Sequence, residues 1–317
     1  METVETLDVT RIEPRLKHPS IFKKFDSLPA ENSFIISNDH DPMPLYYQML
    51  AERGNTFTWE YIEKGPLTWK VKISKLGGIL PEPTIGELVA EDYRKAEIFK
   101  KYGIDFCCGG KKTLSKACEE KGINVLHIQE DLKQAGQHHS VPSEDFNSFD
   151  AGFLSEYILN THHRYVKNAI PLISDFVNKV ARVHGDRHPE AVGIAKIWGD
   201  VVQELSGHMM KEENILFPYI MHLSDAKKKG IPADFPPFGT VANPIRAMEH
   251  EHDVVGDLMK RINKLSSGYT IPEDSCTTFR LSYLKLHEFE EDLHRHIHLE
   301  NNILFPKAVE LERELVK

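Results

Sequence analysis

An eleven-residue segment that occurs twice in the C-terminal half of the chain constrains this sequence more than any other feature. The two copies, HMMKEENILFP and HIHLENNILFP, begin at His208 and His296 and agree at seven of their eleven positions. Each pairs its histidine with a glutamate four residues later, Glu212 or Glu300, and this spacing places both side chains on one face of a helix. The proline that closes each copy is expected to end or kink that helix.

Both His/Glu pairs lie inside an apolar stripe rather than on a polar face. The stripe of the first helix advances by four and three residues in turn, through Val201, Leu205, His208, Glu212 and Ile215. The stripe of the second helix has the same steps, through Phe289, Leu293, His296, Glu300 and Ile303. Since such a stripe faces the core, both glutamates are expected to be buried, which is costly unless each is paired or binds a metal.

Two further helices each carry a single histidine in the same kind of stripe. His163 precedes the first His/Glu pair by 45 residues and His252 precedes the second by 44, so the helical half of the chain is itself a repeat. His162 also has apolar neighbours at helical spacing, and phase alone favours His163 over it. Three neighbouring histidines lie off the stripes and are expected at the surface: His250, His294 and His298.

Together, the four helices predict a metal centre in the core of a bundle. Imidazole ligands suit iron, zinc and copper, whereas carboxylates that bridge two ions favour the two-iron sites built in such bundles. The predicted ligands are His163, His208, Glu212, His252, His296 and Glu300. In this interpretation both glutamates bridge and two histidines cap each ion, which leaves at least one coordination position open on each.

The periodicity along the chain divides it into three segments. Residues 1–76 have the order β-α-β-α-β-β, residues 84–137 form short helices around two adjacent cysteines, and residues 148–317 form the four long helices. Stretches rich in glycine, proline and polar residues separate them at 77–83 and 136–148. The expected fold class is therefore α+β and multidomain: a small two-layer α/β domain, a short helical double-cysteine domain and a C-terminal four-helix bundle.

Charge and cysteine content exclude several classes of protein. Asp plus Glu number 48 against 39 Lys plus Arg, and the net charge of −9 disfavours non-specific binding to nucleic acid or to an anionic membrane. No apolar run approaches the ~18 residues of a membrane span, and the N-terminus has no signal-peptide pattern. Four cysteines, two of them adjacent, argue against a disulfide framework and for a reducing cytoplasm.

The helical part of the chain resembles a known family. The histidine and glutamate pattern, together with IFKKYGIDFCCGGKKTLSKAC and MEHEHD, closely resembles the iron–sulfur cluster repair di-iron proteins of the bacterial YtfE/ScdA type over residues 84–310. The resemblance implies a hemerythrin-like bundle around two non-haem Fe ions, with an oxo or hydroxo bridge as an option. It also implies His163 as the first ligand, because the first ligand in the family lies eight residues before a proline, here Pro171.

Residues 1–76 resemble the uncharacterised DUF2249 domain, whose fold is similar to the small sulfur-relay proteins of the TusA/SirA type. The segments that carry this resemblance are LDVTRIEPRLKHPSIFKKFDSL, NDHDPMPLYYQML and FTWEYIEKGP. Sulfur transfer is nevertheless doubtful, because residues 1–106 contain no cysteine. His18, Asp39, His40 and Asp41 have two open interpretations, a small site or an ordinary turn and helix cap.

The resemblance implies repair of iron–sulfur clusters damaged by nitrosative or oxidative stress, through donation of iron. Two alternatives stay open: a di-iron nitric oxide reductase, which would make the protein an enzyme, and a hemerythrin-like sensor or carrier of O2 or NO. Oxygen-carrying hemerythrins use five histidines, whereas four are identified here, which disfavours simple carriage. The expected partners are damaged iron–sulfur proteins or apo cluster acceptors, with NO and O2 as small ligands and a homodimer left open.

Cys107 and Cys108 are the predicted catalytic residues. They are expected to make the chemical contact with the acceptor protein. Adjacent cysteines form a disulfide with each other only under strain, but they can bind a metal, pass iron or be oxidised reversibly. Lys111 and Lys112 are expected to favour the thiolate, and the pair is expected to be partly accessible. The alternative is a structural role as two small apolar side chains. The other two cysteines are interpreted as structural.

Overall fold

The chain divides into two units, Met1–Pro83 and Thr84–Lys317, in a computed structural model that describes residues 5–54, 56–76, 82–135 and 145–316. The segments assigned to linkers from the sequence, 77–83 and 136–148, lie largely outside the described residues. Among the residues that are described, no helix combines the length and the apolar character needed to cross a bilayer.

The first unit contains a four-stranded sheet and two helices. Its elements are β1 (Glu5–Asp8), α1 (Pro14–Ser27), β2 (Ser33–Asn38), α2 (Met43–Arg53), β3 (Phe57–Glu63) and β4 (Trp69–Lys75). The strand order is β1-β2-β4-β3, in which β1 and β2 are parallel and the other two pairs are antiparallel. The element order is the one predicted from the sequence.

Alternation along the central strands gives this unit its core. Phe34 and Ile36 of β2 pair with Ile73 and Val71 of β4, and all four side chains are buried. Met49 of α2 belongs to the same hydrophobic cluster, which also includes the buried face of α1. Sheet and helices thereby form two layers around one core.

The polar residues of this unit whose role was left open lie near one another. His18 and His40 both line a cavity of about 40 Å³. Asp39 accepts a hydrogen bond from Nδ1 of His40 at 2.6 Å, and Asp41 accepts one from the backbone N–H of Met43 at 3.1 Å, at the start of α2. These are the contacts of a turn and a helix cap, and they support the structural interpretation.

The second unit begins with four short helices. They are α3 (Ile85–Glu91), α4 (Lys95–Lys101), α5 (Leu114–Lys121) and α6 (Val125–Ala135). Thr84 caps α3 in a reciprocal capping box with Glu87, and the hydroxyl of Thr113 accepts the N–H of Lys116 at the start of α5. The two adjacent cysteines lie in the connection between α4 and α5.

The long helices follow as the predicted four-helix bundle. The elements are α7 (Ala151–Ile158), α8 (Arg164–His184), α9 (Pro189–Lys211), α10 (Phe217–Lys229), α11 (Ala242–Leu265), α12 (Thr277–Leu299) and α13 (Phe305–Leu315). One wide π turn each joins α7 to α8, α9 to α10 and α12 to α13, so these pairs are continuous helical runs. Helix α8 packs against α9 and α12, and α9 packs against α11. The predicted α+β multidomain class is confirmed.

The short helices and the bundle share one hydrophobic core. Phe99, Phe106 and Leu114 belong to the same cluster of buried residues as Val255 and Leu293 of the bundle. Residues 84–137, which the sequence analysis assigned to a helical domain of their own, therefore pack on the bundle within one unit. This packing brings the double-cysteine segment next to the helices that carry the predicted ligands.

Candidate metal centre

Three of the predicted ligand helices widen into a π turn at their ligands. The turns are Leu159–His163, Glu212–Leu216 and Glu300–Leu304. A π turn contains one residue more than an α turn, so it changes which residues face the core on either side, and such turns are frequent at functional sites. Each of these three turns begins or ends with a predicted ligand.

The extra residue corrects two expectations from the sequence. Ile215, expected in the buried stripe, is 48% exposed, whereas Leu216 is 1% exposed. Of the two effects expected of the prolines, an end or a kink, the first does not occur, since Pro218 and Pro306 are the second residues of α10 and α13.

The six predicted ligands come together as two groups that share both glutamates. One group is His163, Glu212, His296 and Glu300, and the other is His208, Glu212, His252 and Glu300. Within each group the candidate ligand atoms lie within 4.8 Å of one another. Each of the six residues is at most 2% exposed. The arrangement has the form of two ion positions, each with two imidazoles, joined by two carboxylates.

Buried donor atoms without protein partners show that this set fits metal ions. Both carboxylate oxygens of Glu212, one of Glu300 and Nε2 of His163 have no hydrogen-bond partner among the described groups. Unpaired carboxylate oxygens in a core are strongly unfavourable unless a cation meets them. The Nε2 atoms of His208 and His252 are 3.0 Å apart.

The two buried carboxylates also raise the proton affinity of two of the four histidines. Burial disfavours the imidazolium of His163, but the carboxylates of Glu212 and Glu300, 3.4 and 3.8 Å from its Nε2, outweigh this and raise its pKa to about 10. Burial opposes protonation of His208 too, and the charge of Glu212 still raises its pKa to about 10. At His296 burial dominates and the pKa is lowered. Metal ions and protons therefore compete for the same nitrogen atoms.

Three of the four histidines are held in orientation by a hydrogen bond from Nδ1. The pairs are His163 with Glu213 (2.8 Å), His208 with Glu251 (3.0 Å) and His252 with the amide oxygen of Asn301 (2.8 Å). Such contacts fix the tautomer of a ligand histidine and direct its Nε2 at the metal. Hydrogen bonds with His208 and Lys211 also lower the pKa of Glu251 to about 2, so it is an anion at neutral pH.

His296 differs from the other three histidines. Its Nδ1 is buried and has no partner among the described groups. Its ring stacks on the ring of His162, with the ring centroids 5.5 Å apart and an angle of 8° between the ring planes. His162 is also buried, donates from Nδ1 to Asp292 at 2.9 Å, and belongs to neither ligand group. The π turn Leu159–His163 explains how two adjacent histidines both face inwards.

Of the three histidines expected at the surface, only His250 is exposed. His298 is 1% exposed, and burial lowers its pKa to about 3. Its ring packs against Tyr93 and Phe106, and the partly buried His294 also packs against Phe106. The expectation was wrong for His298 because α12 has a second buried face, against the short helices, that periodicity around the bundle core does not reveal.

Cys107 and Cys108 lie against α11 beside a predicted ligand. The thiol of Cys108 is 3.6 Å from the backbone carbonyl oxygen of His252, and the two sulfur atoms are 3.9 Å apart with both thiols free. Asp105 accepts the backbone N–H groups of Cys107, Cys108 and Gly109, which fixes the turn. The pair therefore approaches the ligand cluster. The sequence alone did not decide whether it would.

The expected accessible thiolate is not present at Cys107, which is 4% exposed, while Cys108 is half-buried. The hydrogen bond with Cys108, burial and the carboxylate of Asp105 raise the pKa of Cys107 well above its usual range. The two lysines expected to favour the thiolate form ion pairs instead, Lys111 with Glu249 at 2.6 Å and Lys112 with Glu120 at 2.5 Å. Cys107 does contribute to the wall of a cavity of about 340 Å³.

Asn302 joins the double-cysteine segment to the π turn of Glu300. Its amide nitrogen lies near three acceptors: the carbonyl oxygens of Phe106 (3.2 Å) and Cys107 (3.4 Å) and Nδ1 of His298 (3.0 Å). Gly86 and Gly110 pack on the same side chain, and a Cβ at either position would overlap it. Glu300, Asn301 and Asn302 therefore contact the ligand cluster, a ligand histidine and the cysteine segment, respectively.

The residues around the ligands were not predicted, although the repeat contains a signal for two of them. Glu213 and Asn301 occupy the same position of the eleven-residue segment, directly after the shared glutamate. Each accepts a hydrogen bond from the lone histidine of its own half, His163 or His252. A polar residue at this position of both copies is therefore a sequence signal for the residue that accepts the hydrogen bond of the lone histidine.

Three family models match successive parts of the chain. The model described as "Uncharacterized conserved protein (DUF2249)" matches residues 6–75, and the model described as "Domain of Unknown function (DUF542)" matches residues 81–136. The model described as "Hemerythrin HHE cation binding domain" matches residues 155–308. The last match covers all six candidate ligands.

Curated relatives from several bacteria are similar over most of their length. A protein of Pectobacterium atrosepticum named iron-sulfur cluster repair protein YtfE is 36% identical over 228 residues, which are 72% of this chain and 97% of the relative. Proteins of the same name from Citrobacter koseri and Escherichia coli are each 36% identical over 226 residues, or 71% of this chain and 96% of the relative.

Proposed function

The chain belongs to the family of YtfE iron–sulfur cluster repair proteins, and from this membership we propose that it holds two iron ions in its bundle and donates iron to damaged clusters. The family resemblance identified in the sequence is thereby confirmed. The name of the relatives supports a role in cluster repair, and the hemerythrin model supports cation binding in residues 155–308. Two ions per chain, and donation as the means of repair, are the parts that experiment must test.

The observation that carries the proposal is the pair of ligand groups that share two glutamates. In this assignment His163 and His296 hold one ion, His208 and His252 hold the other, and Glu212 and Glu300 bridge them. Bound in this way, the ions supply Lewis acidity and redox chemistry. Each group has only four protein donors, so positions stay open for a small ligand or for a donor atom of an acceptor protein.

The surrounding residues bury the ligand side chains and hold three of the histidines in orientation. The six ligand side chains are buried, and Glu213, Glu251 and Asn301 hold three of the histidines. The double-cysteine segment contacts the turn that carries Glu300 through Asn302. Cys107 forms part of a cavity wall and Cys108 contacts the backbone of a ligand residue. We therefore assign the cysteines as the contact between the iron site and the acceptor.

Iron transfer is the direct test of this function. The reduced, iron-loaded chain is mixed with an apo iron–sulfur protein, and cluster formation and loss of iron from the chain are followed together. We expect iron to appear in the acceptor as it leaves the chain. Nitric oxide reduction is the second candidate, because open positions on two adjacent ions suit it, and nitrous oxide is measured in a parallel reaction with NO. Nitrous oxide without iron transfer would favour the reductase.

The variant Cys107→Ser/Cys108→Ser should keep its iron and lose repair activity. Neither cysteine belongs to the two ligand groups, so iron per chain should match the unmodified protein, whereas the contact with the acceptor is removed. Iron analysis and the initial rate of acceptor repair measure the two effects. Cys276→Ser, at an exposed cysteine, is the matched control and should change neither. Unchanged repair in the double variant would return the pair to a structural role.

A chain that begins near residue 80 should bind iron as the full chain does. All six candidate ligands lie in the unit Thr84–Lys317, and that unit has its own hydrophobic core. Iron content and the visible absorption spectrum of the shortened chain should therefore equal those of the full chain. An altered spectrum at equal iron content would show that residues 1–76 contribute to the surroundings of the centre.

A further inference from the structure

The two halves of the bundle place corresponding residues around the two proposed ion positions. The lone histidines His163 and His252 correspond, and so do the paired histidines His208 and His296. Behind each lone histidine the correspondence is kept, because the residue after each bridging glutamate accepts its Nδ1 hydrogen bond. Each of the two proposed ion positions therefore has one such hydrogen bond on its lone histidine.

Behind the paired histidines the correspondence is broken. The residue before His252 is Glu251, and its carboxylate accepts the Nδ1 hydrogen bond of His208. The residue before His163 is His162, which lies in the corresponding place, since its ring stacks on His296 at 5.5 Å. It provides no acceptor there, and Nδ1 of His296 is buried without a partner among the described groups.

The reason is the direction in which His162 is hydrogen-bonded. Its Nδ1 donates to Asp292 at 2.9 Å, which turns that nitrogen away from His296, and its Nε2 has no partner among the described groups. One ion position thus has both histidines supported, by Glu251 and Asn301, whereas the other has support only on His163. Loss of one such contact typically costs about 10–100-fold in metal affinity.

We propose that His162 makes the two positions unequal, so that the iron held by His163 and His296 is the weaker bound and leaves first. This inference rests on the proposed di-iron site and names the ion that is donated. Two equal positions would lose iron at the same rate and in random order, so release of one particular iron first requires such a difference. Glu251 and His162 are the positioning residues that set it.

The experiment follows removal of 57Fe from the loaded full chain by a ferrous chelator in excess. We expect two phases of about one iron each, with rates that differ by about tenfold or more. Mössbauer spectra of samples frozen between the phases should show one remaining iron per chain. Because no acceptor protein is present, the result does not depend on whether the chain repairs clusters.

The variant His162→Gln supplies the missing acceptor. Its amide NH2 can donate to Asp292 as His162 does, while its amide oxygen is free to accept from Nδ1 of His296. We expect the fast phase to slow by about tenfold and the slow phase to stay unchanged. His162→Phe keeps an aromatic ring on His296 but offers no acceptor, so its fast phase should stay fast.

Release of both irons in one phase would overturn the inference, as would a fast phase that His162→Gln leaves unchanged or that His162→Phe slows equally. An iron content near one per chain before chelation would instead contradict the proposed di-iron site itself. The two failures are therefore distinguishable. His250→Gln, at an exposed histidine of α11, controls for general effects of substitution and should reproduce both phases of the unmodified chain.

Discussion

Glu300→Ala and Glu212→Ala should each lower the iron content of the full chain from about two ions to well below one. Each glutamate belongs to both ligand groups, so its removal takes a donor from both proposed ions at once. Both side chains are fully buried, and no water-exposed carboxylate can replace them without entering the core. Iron per folded chain, measured by metal analysis beside the absorption spectrum, tests the expectation.

A conservative variant separates loss of a ligand from loss of the fold. Glu300→Gln keeps the volume of the side chain but replaces the carboxylate by a neutral amide, so it should lose iron while circular dichroism stays helical. His250→Ala, at an exposed position of α11, should retain all of its iron. Full iron retention in both alanine variants would show that the glutamates do not bridge.

Glu251→Ala should weaken iron binding by about 10–100-fold without removing a ligand atom. The carboxylate of Glu251 accepts the Nδ1 hydrogen bond of His208, and Lys211 pairs with its other oxygen. Without it, His208 loses the contact that fixes its tautomer, and its position should become as labile as that of His296. A titration of the apo chain with Fe²⁺ against a competing chelator measures the change.

Glu249 provides a control two residues away on the same helix. It pairs with Lys111 at 2.6 Å and contacts no ligand histidine. Glu249→Ala should therefore weaken iron binding far less than Glu251→Ala, because it removes only an ion pair between α11 and the cysteine segment. Equal weakening in Glu249→Ala and Glu251→Ala would mean that negative charge near the bundle, rather than orientation of His208, supports the iron.

That the six candidate ligands would meet in the core was predictable because burial and periodicity coincide at them. A histidine and a glutamate four residues apart within an apolar stripe must both face the core, and two copies of the pattern define two helices at once. The phase argument worked where the backbone is α-helical up to the ligand, as at His208 and His252. It failed three residues beyond Glu212, at Ile215, which lies inside a π turn where periodicity of 3.6 residues no longer applies, although Ile303 at the same place of the other copy is buried.

The surroundings of the ligands were harder to predict because they depend on contacts between distant segments. His298 appeared polar and off the stripe, yet Tyr93 and Phe106 cover it from the connections between the short helices, about two hundred residues earlier in the chain. The basic residues near the cysteines were expected to act on the thiols, but Lys111 finds a glutamate on α11 instead. Ion pairs and second buried faces follow from tertiary packing, which local sequence does not encode.

The consecutive residues Glu300, Asn301 and Asn302 connect the ligand cluster to the cysteine segment through one stretch of backbone. If iron held by Glu300 strengthens the contact of Asn302 with the carbonyl of Cys107, then that contact must strengthen iron binding by the same factor. An acceptor protein that draws the cysteine segment towards itself would thereby loosen the iron it is to receive. Binding of the acceptor protein would then trigger release of iron, and a chain without an acceptor would retain its iron.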